Sequence, residues 1–224
     1  MGTVTLSKQN RLFWLGRYTE RVYTTIQFLS DLYDRILDGG EADYRAICRD
    51  LGIPCPYTGS EDFCLRYLFD RTDPASVISS VDNMLGNGMV LRETISTPTL
   101  AYLQMASSAM ELAEKSDSPR LELQWVLDDI MAFRGSFDDS VDAEAARNIT
   151  KSGSSVERVS LMLRLDTAED EVLRRELQKL LNRLYKTDLT ADPEALEVVT
   201  QKAMGGPDVD RSRLLSSVEG LFLV

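Results

Sequence analysis

Two stretches of the sequence place a glutamate and an arginine one helical turn after a glycine. The first reads FWLGRYTERV over 13–22 and the second reads KSGSSVERV over 151–159, so both contain Gly, three residues and Glu-Arg-Val. Paired glutamates could serve as general acid and base or hold a divalent ion, while arginines suit carboxylates and phosphates. The residues that could do this chemistry are Glu20, Arg21, Glu157 and Arg158.

The glycines have a structural meaning of their own. Positions i and i+4 share one face of a helix, so Gly16 is expected below Glu20 and Gly153 below Glu157. A missing side chain at such a position either admits a neighbouring helix or leaves a small pocket beside the carboxylate. Gly16 and Gly153 are therefore predicted to be helix-packing positions.

Neighbouring residues such as Glu20 and Arg21 point about 100° apart around a helix, so a swapped pairing is predicted. Glu20 is expected to pair with Arg158, and Glu157 with Arg21, across two helices related by a pseudo-twofold axis. A buried salt-bridge network that fixes helix register would use the same residues, and breaking one partner of such a pair costs roughly 3–5 kcal/mol. The spacing by itself favours this network over a catalytic carboxylate pair.

The overall charge narrows the range of partners. Lys and Arg number 25 against 36 Asp and Glu, a formal net charge of −11, so binding to nucleic acid or to an anionic membrane is not expected. The sequence has no run long and apolar enough to span a bilayer, and its N-terminus lacks a signal-peptide core. The expected protein is soluble and cytoplasmic.

The residue types present also limit the chemistry. The sequence has no histidine, which excludes Ser-His and Cys-His nucleophile systems, and a metal site would have to be built from carboxylates. Three cysteines, Cys48, Cys55 and Cys64, form no CxxC motif, so they are interpreted as free thiols in a reducing compartment. No metal site is predicted, and no cofactor can be named.

Helical periodicity and start signals organise the chain. A helical pattern from 7 to about 37 predicts one long helix. The positions predicted to form its inner face are Leu12, Leu15, Thr19, Val22, Ile26, Leu29, Tyr33 and Ile36. Asp73, Asp142, Thr167 and Asp192 are interpreted as start signals of four later helices. Strand alternation is absent, so the chain is predicted to be all-α.

We predict a single-domain helical bundle over residues 1–224, with about seven to nine helices and the internal Gly-x-x-x-Glu-Arg repeat. Short connections between helices favour antiparallel neighbours. Glycines and prolines make 39–60 a loop-rich excursion from the bundle, and 205–224 is a separate C-terminal segment.

Two further segments carry polar residues at helical spacing. In the central segment NGMVLRETIS, Arg92 and Ser96 would share a helical face, although a plain surface helix would offer the same residues. In the segment EDEVLRRELQKLLNRL, the pairs Glu171 with Arg175 and Glu176 with Lys179 predict a solvated face.

The two glycine-containing stretches and the central segment together resemble the bacterial alpha-E domain family, a helical family named for its glutamates. LSKQNRLFWLGRYTERV follows the family form L-S-R-x-A-x-x-L-Y-W-L-G-R-Y-x-E-R-A, NGMVLRETIS follows N-A-R-x-x-R-E-x-I-S, and GSSVERVSLMLRLD follows G-R-x-x-E-R-x-x-x-x-x-R-x-L-D. The resemblance runs from residue 6 to about 185. The matching residues are Leu6, Ser7, Trp14, Leu15, Gly16, Arg17, Tyr18, Glu20 and Arg21, then Asn87, Arg92, Glu93, Ile95 and Ser96, then Gly153, Glu157, Arg158, Arg164 and Asp166.

The resemblance implies a setting rather than a reaction. Members are typically encoded beside, or fused to, an ATP-grasp-type amide ligase and a transglutaminase-like cysteine peptidase, which implies synthesis, attachment or trimming of a small peptide. No reaction is assigned to the alpha-E domain itself. This chain departs from the family at Ser154, where arginine is usual, and at TLAYLQM, which replaces a Trp-Glu pair.

Three functions remain open from the sequence. The first is an accessory or binding module whose polar groove takes a peptide or docks the ligase. The second is an enzyme that uses Glu20 and Glu157 as acid and base or as ligands of a divalent ion. The third is a purely structural interaction protein, and the sequence ranks it between the other two. The residues predicted to line the groove are Tyr18, Glu20, Arg21, Asn87, Arg92, Glu93, Glu157 and Arg158.

Overall fold

The computed structural model describes residues 5–40 and 42–223, and these residues contain helices and no strand. An isolated antiparallel bridge joins Ala191 and Phe222. The predicted all-α class is confirmed, and ten helices are present in the described residues where seven to nine were predicted. They are α1 Leu6–Leu37, α2 Tyr44–Leu51, α3 Ser60–Phe69, α4 Val77–Val90, α5 Thr97–Lys115, α6 Arg120–Ser140, α7 Glu144–Leu165, α8 Asp170–Leu184, α9 Pro193–Ala203 and α10 Arg211–Glu219.

The long helix α1 buries the face that its apolar spacing predicts, up to Leu29. Near the C-terminal end the buried position is Leu32, while Tyr33, predicted to be inside, is exposed. A spacing of about 3.5 residues drifts around a helix that has 3.6 residues per turn, so the buried stripe moves sideways over a helix of this length. The buried predicted positions are Leu12, Leu15, Thr19, Val22, Ile26 and Leu29.

The start of α4 differs from the sequence prediction. Its N-cap is Ser76, whose hydroxyl accepts a hydrogen bond from the backbone N–H of Ser79 at 3.2 Å. Asp73, the predicted cap, instead accepts from the N–H of Ala75 in the preceding turn at 2.8 Å. The Ser79 hydroxyl donates to the carbonyl oxygen of Asp73, which stabilises that turn and delays the helix by three residues.

Two other predicted starts are also displaced. Helix α7 begins after Ala143, one residue beyond Asp142, and α8 begins after Glu169 rather than Thr167. The N–H of Thr167 donates to the carbonyl oxygen of Met162, so Thr167 closes the preceding helix and cannot open the next one. The predicted start of α9 is confirmed, because the Asp192 carboxylate accepts from the N–H of Ala195 at 2.9 Å.

The chain forms two compact units. Unit 1 is Met1–Glu20 with Val141–Val224, and unit 2 is Arg21–Ser140. Unit 1 therefore contains the first part of α1 with α7 to α10, and unit 2 contains the rest of α1 with α2 to α6. The prediction of one domain over 1–224 stays a prediction.

Each unit has its own apolar core. In unit 1, α8 packs against α7 and α9, and α10 packs against the same two helices. In unit 2, α5 packs against α6 and α4, and α3 packs against α4. None of the helices in the described ranges is both long and apolar enough to cross a membrane.

Candidate functional site

The two glycines of the repeat lie where α1 and α7 cross in unit 1. A Cβ added to Gly16 would lie 1.9 Å from the carbonyl oxygen of Thr150, and one added to Gly153 would lie 2.0 Å from the carbonyl oxygen of Phe13. Thr150 stands three residues before Gly153, and Phe13 three residues before Gly16, so the contact is reciprocal. The missing side chains let the two backbones touch, and no pocket opens beside either glycine at this contact.

The closely packed helices place one glutamate beside the arginine of the other copy. Arg158 donates from Nε to Oε1 of Glu20 at 2.7 Å and from Nη2 to Oε2 at 3.0 Å. This bidentate geometry is among the strongest that an arginine and a carboxylate can adopt. Glu20 is 2% exposed, so the predicted Glu20–Arg158 pair is present and buried on its acidic side.

The second glutamate, Glu157, is paired with Arg17, which is not one of the residues that the two copies share. Arg17 donates from Nε to Oε2 of Glu157 at 2.7 Å, and Glu157 is 3% exposed. The Arg17 guanidinium also lies over the ring of Trp14, 4.9 Å from its centroid. This pairing was not predicted from the sequence, although Arg17 lies in the first glycine-containing stretch. The predicted pairing of Glu157 with Arg21 stays a prediction.

A difference between the two copies accounts for the asymmetry. Arg17 follows Gly16, and Ser154 is the equivalent residue after Gly153. The Ser154 hydroxyl donates to the carbonyl oxygen of Gly16 at 3.0 Å. At the position after the glycine, the first copy thus supplies an ion pair, and the second copy supplies a hydrogen bond to the backbone of the opposite helix.

Helix α8 extends the charged network. Arg158 also donates from Nη1 to Glu176 at 3.3 Å, and Lys179 donates to the other oxygen of Glu176 at 2.7 Å. Glu176 is 7% exposed, so the predicted solvated face is wrong for this residue, while Glu171 and Arg175 are exposed as predicted. Glu176 is buried because it lies between Leu173 and Leu180 on the buried face of α8, where it contacts Arg158 of α7.

These contacts fix the charge states of the network. Burial by itself would lower the pKa of Arg158, but the hydrogen bonds and charges of Glu20 and Glu176 outweigh it and raise that pKa above its ordinary value. Burial would raise the pKa of Glu176, yet the hydrogen bond from Lys179 and the charges of Arg158 and Lys179 lower it below 4.5. Both groups therefore stay ionised at neutral pH.

Arg183 on α8 forms hydrogen bonds with α7 on either side of Gly153. Arg183 donates to the carbonyl oxygen of Lys151 at 3.1 Å and to the hydroxyl of Ser155. Ser155 lies two residues after Gly153 and is fully buried. Side chains from α8 thus contact α7 on both sides of the glycine, and Arg183 was not singled out from the sequence.

The other predicted site residues are divided between the two units. Tyr18 is partly buried in unit 1, where its ring lies 5.4 Å from that of Trp14. Arg21, Asn87, Arg92 and Glu93 belong to unit 2. The convergence of all eight predicted residues on one groove stays a prediction.

The central segment is not a continuous helix. Asn87 is buried in α4, but that helix ends at Val90, and Arg92 and Glu93 are exposed in the turn that follows. Ser96 is the N-cap of α5. The predicted sharing of one helical face by Arg92 and Ser96 is therefore wrong, because Ser96 begins a new helix.

A cavity of about 400 Å³ lies among α7 to α10 in unit 1. At its edge the Lys202 ammonium pairs with Asp170 at 2.6 Å and with Asp208 at 3.1 Å. The hydrogen bond from Lys202 lowers the pKa of Asp170, and it outweighs a smaller desolvation effect that acts in the opposite direction. In the part of the chain that the structure describes, no group of three or more His, Cys, Asp or Glu residues could hold a metal ion.

The charged network and its surroundings limit the chemistry that the site can do. Glu20 and Glu157 each accept charge-assisted hydrogen bonds from an arginine, which hold the two carboxylates in place. A general acid or base must be free to reach its substrate. The arrangement therefore suits a rigid charged core better than proton transfer.

The comparisons with known proteins agree with the helical fold. The family model of Alpha-E, described as a predicted alpha-helical domain with a conserved ER motif, matches residues 8–192. The match includes both Glu-Arg pairs, at 20–21 and 157–158. No curated protein and no solved structure shows significant similarity to the chain.

Proposed function

This chain is a member of the Alpha-E family, and on that premise we propose that it is a non-catalytic accessory module of a peptide synthesis or modification system. In this proposal it works beside an ATP-grasp-type amide ligase and a transglutaminase-like peptidase, which carry the chemistry. The family resemblance supports these two partners. The proposed role of the chain is to bind them or the peptide that they handle.

The observation that carries the non-catalytic part of the proposal is the state of the two glutamates. Glu20 and Glu157 are almost fully buried, and each is held by an arginine at 2.7 Å. Within the network the charges of Arg17, Arg158 and Lys179 balance those of Glu20, Glu157 and Glu176. A carboxylate that is already neutralised in this way gains little from a substrate amine or a metal ion.

The accessible side chains of the network suggest how a peptide would be recognised. Arg158 is 32% exposed and Lys179 is 48% exposed, whereas the glutamates that they pair with are buried. A free carboxylate at the end of a peptide would meet these two cationic groups from the solvent side. We therefore propose that unit 1 binds carboxylate-ended peptides at Arg158 and Lys179, with Tyr18 as the aromatic member of the predicted groove.

The test of the partners uses purified proteins. The chain would be mixed with the ATP-grasp-type ligase and with the transglutaminase-like peptidase from the same genome, and the complexes measured by size-exclusion chromatography with light scattering. We expect a complex with at least one partner, and faster product formation by that partner when the chain is present. No complex and no change in either partner's rate would contradict the proposal.

The test of the peptide uses tri-alanine with a free carboxylate and tri-alanine amide as probes in titration calorimetry. We expect the free acid to bind and the amide to bind much more weakly. Arg158→Lys should weaken binding of the free acid, because lysine has fewer N–H donors than arginine and cannot serve Glu20, Glu176 and the peptide together. Arg164→Lys is the matched control, since Arg164 is also on α7 and pairs with Glu219 at 2.9 Å. Equal binding of acid and amide would exclude recognition of the carboxylate.

A further inference from the structure

A second cavity of unit 1, of about 490 Å³, lies between α8 and the end of α9. Four residues of α8 form one wall, and their spacing of three and four positions places them on one helical face. The segment 203–205 forms the opposite wall, and the Gln178 amide donates to the carbonyl oxygen of Ala203 at 2.8 Å, which holds the two walls together. The residues of the first wall are Glu171, Arg174, Arg175 and Gln178.

The protein uses the two arginines of this cavity only in part. Arg174 pairs through Nη2 with Asp170 at 2.7 Å, but its Nε is buried and has no hydrogen-bond partner among the described residues. A buried donor without a partner is unfavourable and rare in native proteins. Arg175 pairs with Glu171 at 3.4 Å, and because these side chains are 62% and 82% exposed, their attraction is weak. Both guanidinium groups therefore retain donors for an anionic ligand.

The opposite wall leaves room beside one guanidinium. A Cβ added to Gly205 would lie 3.2 Å from Nη1 of Arg174, so a side chain at this position would crowd that nitrogen. Met204 lies in the same wall and is 73% exposed. A flexible thioether packs well against methylene groups, and guanidinium donors suit carboxylate oxygens. The cavity therefore has one apolar and one cationic part.

The charge of the lining favours an anion. Arg174 and Arg175 contribute two positive charges and Glu171 one negative charge, so the lining has a net charge of +1 in a chain of net charge −11. An acidic side chain has methylene groups that end in a carboxylate. Its two parts match the apolar and the cationic part of the cavity.

The cavity adjoins the two cationic groups that are proposed above to bind the end of a peptide. Arg175 and Lys179 are four positions apart on α8, so their Cβ atoms are neighbours about 5–6 Å apart on one face. An extended peptide advances about 3.3–3.6 Å per residue. The side chain of the next-to-last residue can therefore reach Arg175 while the terminal carboxylate lies at Lys179.

We propose that this cavity binds the acidic side chain of a peptide's next-to-last residue, so that unit 1 selects peptides with Glu or Asp just before a free terminal carboxylate. This inference rests on the proposed function, because it takes the terminal carboxylate to be held at Arg158 and Lys179. It names the substrate class of that site, and Arg174 and Arg175 are the residues that determine the specificity.

The experiment uses the peptides Ala-Glu-Ala and Ala-Gln-Ala, each as the free acid and as the C-terminal amide, in titration calorimetry with the purified chain. The exchange of Glu for Gln removes the side-chain charge and keeps the shape, while amidation removes the terminal charge. The two contributions are therefore measured separately. We expect the acid of Ala-Glu-Ala to bind about fivefold more tightly than the acid of Ala-Gln-Ala, as for a partly exposed charge pair.

The four peptides distinguish failure of this inference from failure of the proposed function. Equal binding of the Glu and Gln peptides, in the acid and in the amide form, would overturn the inference and leave the proposed function standing. Equal binding of acids and amides, with a preference for Glu in both forms, would contradict recognition of the terminal carboxylate and support the cavity as a site for an acidic side chain. No binding by any of the four would overturn both.

Protein variants test whether the preference arises in the cavity. Arg175→Gln should abolish the preference for Glu, and this variant is expected to fold because Arg175 is exposed. Arg213→Gln is the matched control, since Arg213 is exposed on α10 and does not line the cavity, and it should leave the preference unchanged. A preference that survived Arg175→Gln would overturn the inference.

Nuclear magnetic resonance of the methyl-labelled methionines gives the position of the bound side chain. The Met204 methyl signal, assigned with Met204→Leu, should shift with Ala-Glu-Ala and much less with Ala-Gln-Ala. A Met204 signal that did not respond to saturating Ala-Glu-Ala would place the acidic side chain outside the cavity and overturn the inference.

Discussion

The crossing of α1 and α7 in unit 1 and the pairing of α5 and α6 in unit 2 solve the same packing problem in different ways. At the first, two glycines allow the backbones to touch, and Arg17 and Arg158 form ion pairs with buried glutamates of the opposite helix. At the second, alanines and larger apolar residues form the interface, and the polar contacts are hydroxyls, such as Thr99 with Ser136 at 2.7 Å. The buried apolar residues of these two helices are Leu103, Ala106, Ala109, Met110, Ala113, Leu123, Val126, Leu127, Ile130, Phe133 and Phe137.

The difference shows what a charged crossing contributes. An apolar interface stabilises in proportion to the area that it buries and tolerates exchange of one aliphatic residue for another of similar volume. A buried ion pair adds little net stability, because removing the two charges from water offsets their attraction. It does penalise every other register, since a shifted helix would leave a charge buried without a partner. Substitutions at the α1–α7 contact are therefore expected to destabilise the protein more than substitutions of similar volume at the α5–α6 contact.

The largest expected effect comes from adding a methyl group at the crossing. Gly16→Ala or Gly153→Ala would place Cβ about 2 Å from a backbone carbonyl oxygen, and backbone cannot rotate away as a side chain can. We expect a loss of about 4 kcal/mol, above the usual overpacking cost of roughly 1–3 kcal/mol. Thermal unfolding should show a fall in Tm of about 8–16 °C for a chain of this length. An unchanged Tm would mean that the helices do not meet at these glycines.

The next effect comes from removing one charge of a buried pair. Glu157→Gln keeps the shape but leaves Arg17, whose side chain is 11% exposed, without this carboxylate partner. We expect a loss of about 3 kcal/mol. Glu20→Gln should cost less, about 2 kcal/mol, because Arg158 keeps Glu176 and part of its hydration. Urea titration of each variant measures both values.

The more exposed pair of Arg164 and Glu219 is the control for this comparison. Their side chains are 25% and 32% exposed, so Glu219→Gln should cost less than about 1 kcal/mol. If this variant lost as much stability as Glu157→Gln, the effect would follow from charge removal in general and not from burial at the crossing.

A smaller effect of opposite sign is expected from a glycine in unit 2. Gly135 is exposed on α6, and an added Cβ would meet nothing within 4 Å. Gly135→Ala should therefore stabilise the protein by about 0.5–1 kcal/mol, because alanine restricts the unfolded chain and favours the helix. Thermal unfolding of this variant beside Gly16→Ala compares the same chemical change in two surroundings. A destabilised Gly135→Ala would indicate that this surface of α6 is covered.

The smallest effect concerns the outer end of the network and depends on pH. The pKa of Glu176 is lowered in the folded protein, so the unfolded chain binds more protons at acid pH. This contribution to stability is fully present above the ordinary pKa of 4.5 and is lost as the pH falls through the lower folded value. Lys179→Gln should remove a few tenths of a kcal/mol near neutral pH.

The measurement is urea unfolding of wild type and Lys179→Gln between pH 3 and 7. The two proteins should differ above the pKa of Glu176 and converge below it, because the protonated carboxyl no longer attracts the ammonium group. A difference that grew at low pH would have the wrong sign and would exclude an ionised Glu176 as the partner of Lys179.

Much of the local structure could be predicted from the sequence, and the failures share a cause. The extent of α1 and the N-cap of α9 could be predicted because both depend on interactions between residues within one or two helical turns. The displaced start of α4 depends on Ser76 and Ser79 competing with Asp73 for the same turn. Several residues of this segment could serve as an N-cap, and the hydrogen bonds of the folded chain determine which one does.

The candidate site divides in the same way. The pairing of Glu20 with Arg158 could be predicted because the repeat places equivalent residues on two helices that must meet. The contact of Glu157 with Arg17 was not predicted, since Arg17 lies outside the residues that the two copies share, and the pairing of Glu157 with Arg21 stays a prediction. Burial of Glu176 also escaped prediction, because a charged residue beside an apolar stripe looks solvated until the second helix is placed.

The sequence by itself determined that this protein is helical, that it lacks histidine chemistry, and that Gly16 and Gly153 stand one turn from a glutamate. These properties follow from residue types and from the period of the helix, which act over short distances. The tertiary structure decided which arginine neutralises which glutamate and how deeply each carboxylate is buried. Such properties depend on the approach of segments that are distant in sequence, and they are fixed only when the helices pack.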